Sequence, residues 1–276
     1  GPALAQENSD CLACHDGADL PAGGGGRRVA GSVAEKRLSA AGDGGLPRAT
    51  GRGEPAIRAA HRVAPSGRVV GVDTSPEMLQ MARARAEREG VGNLDLVATQ
   101  AETLEGVEPM GFEVTLVRWG LMYMDSPVAA LAAARRVMLP GGAMVVAVWV
   151  EPERVPYYSL PRRALGNLRP LPLVDQEAPG TFRYADLGRL QRDFATAGFA
   201  VRHVEEFEVA VMEAATAEEL ITWANAFGMS GLLENLSAEE RRAWRQEFLR
   251  LVEPMRVDGV VRLGGVTRIV VGDSSD

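Results

Sequence analysis

The chain has 276 residues, of which 46% are hydrophobic, and it carries a formal net charge of -7. This length and composition are typical of one large globular domain, and both cysteines lie near the N-terminus, so the core must form without disulfides. The acidic balance argues against a broad nucleic-acid-binding surface, which requires clustered lysine and arginine. The longest apolar stretch, residues 143–150, is far shorter than the roughly 20 residues that span a bilayer, so it predicts a buried strand and no membrane span.

The N-terminal part of the chain, residues 1–45, is rich in glycine, alanine and arginine without regular periodicity, so we expect a flexible segment. It holds a Cys-x-x-Cys-His motif made of Cys11, Cys14 and His15. This spacing is typical of covalent c-type haem attachment, with the histidine as an axial ligand. The surroundings offer little apolar wall for a haem, so a disordered tail, a small disulfide loop and an adventitious metal site are the alternatives. No other metal site is predicted.

After residue 46, strand-like and helix-like patterns alternate along the chain. Apolar strands are predicted at 68–72, 94–98, 113–117 and 143–149, and helices between them at 54–63, 76–89 and 127–138. Strands joined by helices at this spacing imply right-handed crossovers and a parallel sheet. The pattern therefore predicts an α/β fold.

The second half of the chain is less regular. Residues 151–181 are rich in proline and predict a loop or lid. A helix, a strand, a helical region and a strand that closes the sheet are predicted next, at 184–197, 201–211, 216–252 and 260–271. We expect this half to supply a cap, at about 151–182 and 212–258, rather than a second domain.

The strand predicted at 68–72 ends in a carboxylate, Asp73, and a helix start follows at once, with Ser75 suited to cap it. An open α/β sheet presents an acid to the ribose hydroxyls of a bound nucleoside in this way. Gly51 and Gly53 precede a helix and lie roughly 20 residues before Asp73, which is the spacing of a nucleoside-binding unit. The third glycine of the dinucleotide fingerprint is absent, so pyrophosphate binding is less favoured. An ordinary strand-to-helix turn is the alternative.

Four segments carry a family resemblance: 49–73, 75–79, 118–122 and 135–142. In this order they resemble the class I S-adenosylmethionine-dependent methyltransferases, especially the branch that contains the ubiquinone and menaquinone biosynthesis enzymes and many small-molecule methyltransferases. The resemblance covers about residues 46–272. It implies a Rossmann-like, doubly wound sheet of seven strands with the last strand antiparallel, helical cap insertions, and a methyltransferase-like domain over 46–276.

The resemblance also implies where S-adenosylmethionine would bind, over the carboxyl ends of the first strands. Asp73 would take the ribose hydroxyls, Met78 would pack on the adenine, and the Gln100 amide would read the adenine amino group. Arg118 and Trp119 would border the methyl-transfer cleft. Core packing is the alternative for Met78 and Trp119. The predicted cofactor-binding residues are Thr50, Gly51, Gly53, Asp73, Thr74, Met78, Gln100, Ala101, Glu102, Arg118 and Trp119.

The first strand departs from the family pattern. The family has an apolar strand that ends in an acidic residue before the glycine loop, whereas the corresponding segment here is 46–48, with sequence Leu-Pro-Arg. Pro47 stands where the carboxylate belongs, and proline also removes a backbone donor from a central strand. The ammonium group of the cofactor therefore loses a partner, and the first strand is expected to be displaced or missing.

No obligatory catalytic nucleophile is expected, because methyl transfer is a direct displacement in which positioning supplies most of the acceleration. Only some acceptors need a general base. The candidates are His61, Tyr123, Tyr157, Tyr158 and His203, and each of them can equally be structural.

The leading hypothesis is methyl transfer from S-adenosylmethionine to a small, hydrophobic or aromatic acceptor, with no nucleic acid as partner. The alternatives are a catalytically compromised binding protein with a methyltransferase fold and a redox protein that carries c-type haem. S-adenosylmethionine is a cytoplasmic metabolite, so we expect a cytoplasmic location, whereas haem attachment would require export. The sequence leaves the acceptor atom and the oligomeric state open.

Overall fold

The computed structural model describes residues 28–32, 53–109, 111–172, 177–226 and 230–274. Within these residues the chain forms one sheet of eight strands, in the order β3-β2-β1-β4-β5-β8-β6, with β7 paired to β8. Strands β1 to β5 are parallel, and β8 runs antiparallel to both β5 and β6. The strands are β1 (Arg28–Ser32), β2 (Arg68–Asp73), β3 (Leu94–Ala98), β4 (Phe112–Arg118), β5 (Met138–Trp149), β6 (Phe199–Ala214), β7 (Arg256–Val257) and β8 (Val260–Ser274).

Helices cover the two faces of the parallel part of the sheet. Because side chains alternate along a strand, Val69 of β2 packs in a cluster with α1, whereas Val72 packs in a cluster with α3. The described helices are α1 (Ala56–Val63), α2 (Pro76–Arg88), α3 (Pro127–Val137), α4 (Pro156–Gly166), α5 (Leu187–Thr196), α6 (Ala217–Ala226), α7 (Ser230–Leu233) and α8 (Ala238–Val252). None of them is long and apolar enough to cross a membrane.

Strand β8 contributes to two hydrophobic cores. Its second half, which includes Ile269 and Val270, packs in the main core of the sheet. Its first half, which includes Val261 and Leu263, packs in a second core with α4, α6 and α8. We call these three helices the cap.

The first strand of the sheet is displaced from the segment that corresponds to it in the family pattern, as expected. The segment 46–48, including Pro47, falls outside the described residues. The central strand is instead Arg28–Ser32, which pairs in parallel with β2 on one side and β4 on the other. The sheet therefore begins inside the segment that the sequence analysis assigns to a flexible lead-in, and Pro47 is not part of β1.

The remaining predicted elements occur with small shifts at their ends, apart from the proline-rich segment 151–181. That segment contains a short 3-10 helix, Pro152–Arg154, and the whole of α4. The expectation of a loop there is wrong because Tyr157, Leu160 and Ala164 bury one face of a helix against the cap core. The described sheet has eight strands rather than seven because the two-residue β7 folds back on β8.

The N-terminus of α8 offers a test of local helix stabilisation. Ser237 accepts a hydrogen bond from the backbone N–H of Glu240 at 3.2 Å, and the Glu240 carboxylate accepts one from the Ser237 N–H at 2.8 Å. We expect Ser237→Ala to lower the free energy of unfolding by about 1 kcal/mol in urea denaturation, since it breaks this capping box. The matched control is Ser126→Ala, because Ser126 precedes α3 without making a side-chain cap. Equal losses in the two variants would contradict the prediction.

Candidate active site

The carboxyl ends of the parallel strands bring several predicted residues to one edge of the sheet. Ser32, the last residue of β1, is in register with Val72 of β2 and Val117 of β4. Asp73 and Arg118 each lie one residue beyond that level, on either side of β1, so their backbones are about 10 Å apart, or two strand spacings. The strand order reverses beside β1, which makes this edge the topological switch point at which open α/β sheets bind ligands.

Asp73 is a buried carboxylate, only 4% exposed, at this edge. Burial raises its pKa to about 6, although hydrogen bonds from the backbone N–H groups of Ser75 and Thr74 act in the opposite direction. The Ser75 N–H donates to Oδ1 at 2.8 Å. No described residue forms an ion pair with Asp73, so the carboxylate keeps acceptor capacity that the described part of the chain does not use.

The start of α2 fixes the residues that follow Asp73. The Ser75 hydroxyl accepts from the Met78 N–H at 3.3 Å and donates to the Glu77 carboxylate at 2.7 Å. Met78 is half-buried one turn into the helix, and Thr74 is exposed. The structure therefore places Thr74 and Met78 at the same edge as Asp73.

The segment after β3 lies next to Asp73, because the Asp73 carbonyl accepts from the backbone N–H of Thr99 at 3.1 Å. Gln100 is exposed, Ala101 is buried and Glu102 is half-buried. The Gln100 carbonyl accepts from the Leu104 N–H at 2.8 Å, which closes a turn. Gln100 and Glu102 thus belong to the segment that lies next to Asp73.

Gly53 occupies a position that only glycine fits. Its φ is +100°, and an added Cβ would lie 2.3 Å from Cδ1 of Ile57. Its carbonyl accepts from the Ile57 N–H at 2.7 Å and so starts α1. Thr50 and Gly51 lie outside the described residues, as do Cys11, Cys14 and His15.

Trp119 follows β4 with a φ of +52°, a left-handed conformation that is unfavourable for a large side chain. Several contacts hold it there. Its backbone N–H donates to the Ala147 carbonyl at 2.8 Å, and its indole Nε1 donates to Oγ1 of Thr267 at 2.9 Å. Its ring stacks on the Trp149 ring, with centroids 4.4 Å apart. The Arg118 guanidinium lies 4.7 Å from the centre of the same ring.

Trp149 and Thr267 are buried residues that support Trp119, and neither role is predicted from the sequence. Thr267 Oγ1 donates to the Val148 carbonyl at 3.0 Å while it accepts from Trp119, and Trp149 supports the Trp119 ring. The only sequence feature that could have indicated Trp149 is its position at the carboxyl end of a predicted apolar strand. Thr267 has no comparable signal, because its partner Trp119 is 148 residues away in the chain.

Among the candidate bases, Tyr123 lies closest along the chain to this edge. It ends the short 3-10 helix Leu121–Tyr123 that follows β4, and its hydroxyl shares a hydrogen bond of 2.8 Å with Thr181. Tyr157 lies in the cap, where its hydroxyl accepts from Nε1 of Trp223 at 2.9 Å. Tyr158 packs edge-on against Trp149.

The two histidine candidates are exposed and lie away from the edge. His61 is on α1, with Nε2 3.5 Å from the Glu89 carboxylate. His203 is on β6, with Nε2 3.4 Å from Glu205. The structure does not bring either of them together with Asp73 and Trp119.

A cavity of about 670 Å³ lies between β6, β8 and the segment before α4. Its charged lining includes Arg154 and Glu206, which form an ion pair of 2.8 Å. None of the predicted cofactor-binding residues lines it. Within the described residues, no group of three or more histidine, cysteine, aspartate or glutamate side chains is placed to hold a metal ion.

Solved structures with a similar fold include methyltransferases. A protein of Bacillus halodurans that is assigned as a methyltransferase matches with a TM-score of 0.55 at 18% identity, over 91% of this chain and 94% of that one. The chain has a methyltransferase fold. The [4+2]-cyclase SpnF matches with a TM-score of 0.50 at 16% identity, over 91% of this chain and 75% of that one. The methyltransferase fold therefore does not by itself fix the reaction.

Sequence comparisons point the same way. A model of the ubiE/COQ5 methyltransferase family matches residues 32–161. The nocamycin O-methyltransferase of Saccharothrix syringae is 29% identical over 72% of this chain and 74% of its own length. The demethylmenaquinone methyltransferase of Lactococcus lactis is 32% identical over 34% of this chain, which spans only 37% of that enzyme. An uncharacterized 37.1 kDa protein in transposon Tn4556 of Streptomyces fradiae is 35% identical over 38% of this chain and 30% of its own length. The chain is thus similar in sequence to methyltransferases, although it spans less than half the length of the two of these relatives that share more than 30% identity with it.

Proposed function

We propose that the protein transfers the methyl group of S-adenosylmethionine to a small, hydrophobic or aromatic acceptor. The observation that carries the proposal is Asp73, a buried carboxylate at the switch point with acceptor capacity that no described cation uses. Two ribose hydroxyls that donate to this carboxylate would replace the hydration that burial removes. The relatives named above support the reaction class.

The described residues fit such a cofactor. Asp73 would bind the ribose, Met78 would pack on the adenine, and Gln100 with Glu102 would reach its polar edge. Gly53, Thr74 and Ala101 would form the nearby surface, together with Thr50 and Gly51 of the preceding segment. When bound, S-adenosylmethionine supplies an electrophilic methyl group on a cationic sulfur.

The acceptor would lie on the side of Trp119 and the cap. Trp119, Trp149 and Tyr158 form a continuous series of ring contacts that leads from the end of β4 toward α4. These rings favour an apolar or aromatic neighbour. Trp223 and Phe248 are buried in the cap core, so they support the acceptor pocket from behind rather than line it. Since the proposed cofactor is a cytoplasmic metabolite, we also propose a cytoplasmic location.

Isothermal titration of the full chain with S-adenosylhomocysteine tests the proposal. We expect one site per chain, and transfer of label from methyl-labelled S-adenosylmethionine to aromatic acceptors. A folded protein that takes up no S-adenosylhomocysteine would overturn the proposal. A protein that binds it but labels no acceptor would identify the compromised binding protein instead.

Cofactor affinity should depend on pH through Asp73. Its pKa of about 6 means that the carboxylate is protonated in more acidic solution, and a carboxylic acid accepts hydrogen bonds from ribose more weakly. We expect the affinity for S-adenosylhomocysteine to be constant above about pH 7 and about 10-fold weaker at pH 5. Titrations at several pH values measure this, and Asp73→Asn should remove the dependence. An unchanged affinity from pH 8 to pH 5 would contradict the assignment.

A further inference from the structure

Arg118 is half-buried and has neither an anionic partner nor a hydrogen-bond acceptor among the described residues. By contrast, the half-buried Arg85 pairs with Glu54 at 2.7 Å, and the buried Arg268 pairs with Glu206 at 2.7 Å. No described carboxylate lies within ion-pair distance of Arg118, and its buried Nε has no hydrogen-bond partner among the described residues. Its guanidinium lies over the face of the Trp119 ring.

Within the described part of the chain, the lost hydration of the Arg118 guanidinium is only partly compensated. A guanidinium that leaves water without gaining an anion loses hydration, and a cation–π contact restores only part of that loss. Trp119 itself adopts a left-handed backbone conformation, held by Thr267 and Trp149, that places its ring beside Arg118. Backbone strain that the surroundings enforce is found mainly at ligand sites.

Arg118 lies where it could contact the methyl acceptor. It lies at the same edge as Asp73, across the end of β1, where the proposed cofactor would be held on the other side. We propose that Arg118 binds an anionic oxygen of the methyl acceptor, so that the substrates are small aromatic carboxylates or phenolates. This inference rests on the proposed function and names the substrate class of the same site.

An ionised acceptor also removes the need for a general base. The histidines lie away from the edge, Tyr157 is engaged in the cap, and the hydroxyl of Tyr123, the candidate closest to the edge, shares a hydrogen bond with Thr181. A cationic sulfonium and an anionic oxygen give two neutral products, so no proton has to leave during the transfer. A guanidinium beside the oxygen lowers the pKa of a phenol and keeps it ionised near neutral pH, which replaces a general base.

Binding of matched probe pairs tests the proposal. By isothermal titration, with and without saturating S-adenosylhomocysteine, we would compare 2-naphthoate with neutral 2-naphthamide, and 4-nitrophenolate at pH 8.5 with neutral 4-nitroanisole. We expect at least one anion to bind about 10-fold or more tightly than its neutral counterpart, as for a hydrogen bond to a charged group. The pair that shows the difference identifies the acceptor as a carboxylate or a phenolate.

Arg118→Gln should reduce that preference to less than about 2-fold, with the neutral probe and S-adenosylhomocysteine binding as before. Arg242→Gln, on the exposed surface of α8, is the matched control and should keep the preference. A preference that survives Arg118→Gln, or no preference in the unmodified protein, overturns the inference. So does a loss of S-adenosylhomocysteine affinity with unchanged anion binding, which would assign Arg118 to the cofactor. An Arg118-dependent preference in a protein that ignores S-adenosylhomocysteine would sustain the anion site and refute the methyltransferase proposal.

Discussion

Asp73→Asn is expected to weaken S-adenosylhomocysteine binding by about 100-fold while making the fold more stable. Two hydrogen bonds from ribose to a charged carboxylate contribute about 1.5 kcal/mol or more each, and each 1.4 kcal/mol is a factor of ten in affinity. Asparagine keeps the size of the side chain and an oxygen that accepts from the Ser75 N–H. The binding loss therefore reports the charge.

The stability gain follows from the raised pKa of Asp73, about 6 against an ordinary value of 3.8. The folded protein holds this proton more strongly than the unfolded chain does. The resulting destabilisation is absent below pH 3.8, develops as the pH rises through this interval, and is complete above about pH 6, where it reaches up to about 3 kcal/mol. Urea denaturation should show a larger gain for Asp73→Asn at pH 8 than at pH 5.

Asp95→Asn is the control for both measurements. Asp95 lies on the neighbouring strand, is more exposed and pairs with Arg68. We expect its substitution to leave cofactor affinity within about 2-fold and to give no stability gain, since an exposed ion pair contributes little. If the two variants lost affinity equally, the loss would be a general effect of charge and the ribose assignment would be wrong.

Trp149→Ala is expected to lower the free energy of unfolding by about 4 kcal/mol. The side chain is fully buried, stacks on Trp119 and meets Tyr158 edge-on, so truncation leaves a large cavity in the main core. Trp119 would also lose the ring that holds its strained conformation. Urea denaturation measures the stability, and the near-ultraviolet circular dichroism of the stacked indoles should weaken.

Two conservative variants separate packing from hydrogen bonding. Trp119 and Trp149 are stacked partners, but Nε1 of Trp119 donates to Thr267, whereas the buried Nε1 of Trp149 has no partner among the described residues. We expect Trp119→Phe to cost about 1 kcal/mol more than Trp149→Phe, because only the first loses a hydrogen bond. The opposite order would contradict the assigned contacts.

The elements that the sequence predicts well are those whose local pattern and tertiary surroundings agree. The strand that ends at Asp73 is an apolar run, and Ser75 caps the following helix as predicted. β1 is different, since Arg28–Ser32 contains a single β-branched apolar residue and has little strand propensity. It is a strand because β2 and β4 offer unpaired edges on both sides, and no local pattern reports that.

Helix α4 is a second case in which local composition and the folded structure disagree. Proline at 152, 156 and 161 marks the segment as a loop, yet Pro156 stands at the helix start, where its missing N–H costs nothing. Pro161 lies inside the helix, so one backbone bond is given up there. Its carbonyl accepts from Nε1 of Trp244 at 3.0 Å, which ties the helix to α8. Burial of one face against the cap thus outweighs the unfavourable composition.

Local sequence was sufficient to predict the position of Asp73 at the end of a strand, and insufficient to predict the contacts that support Trp119. A carboxylate after a strand and before a capped helix is a short-range signal. The stack on Trp149 and the bond to Thr267 join three strands that meet only in the folded sheet. Such contacts depend on register, which residue type alone does not encode.

The single strand β8 runs from the cap core into the main core without interruption. A hinge between the two cores would have to bend β8 and break its backbone hydrogen bonds to β6. The cap and the main sheet are therefore joined by one paired strand, so we expect them to move as a single unit.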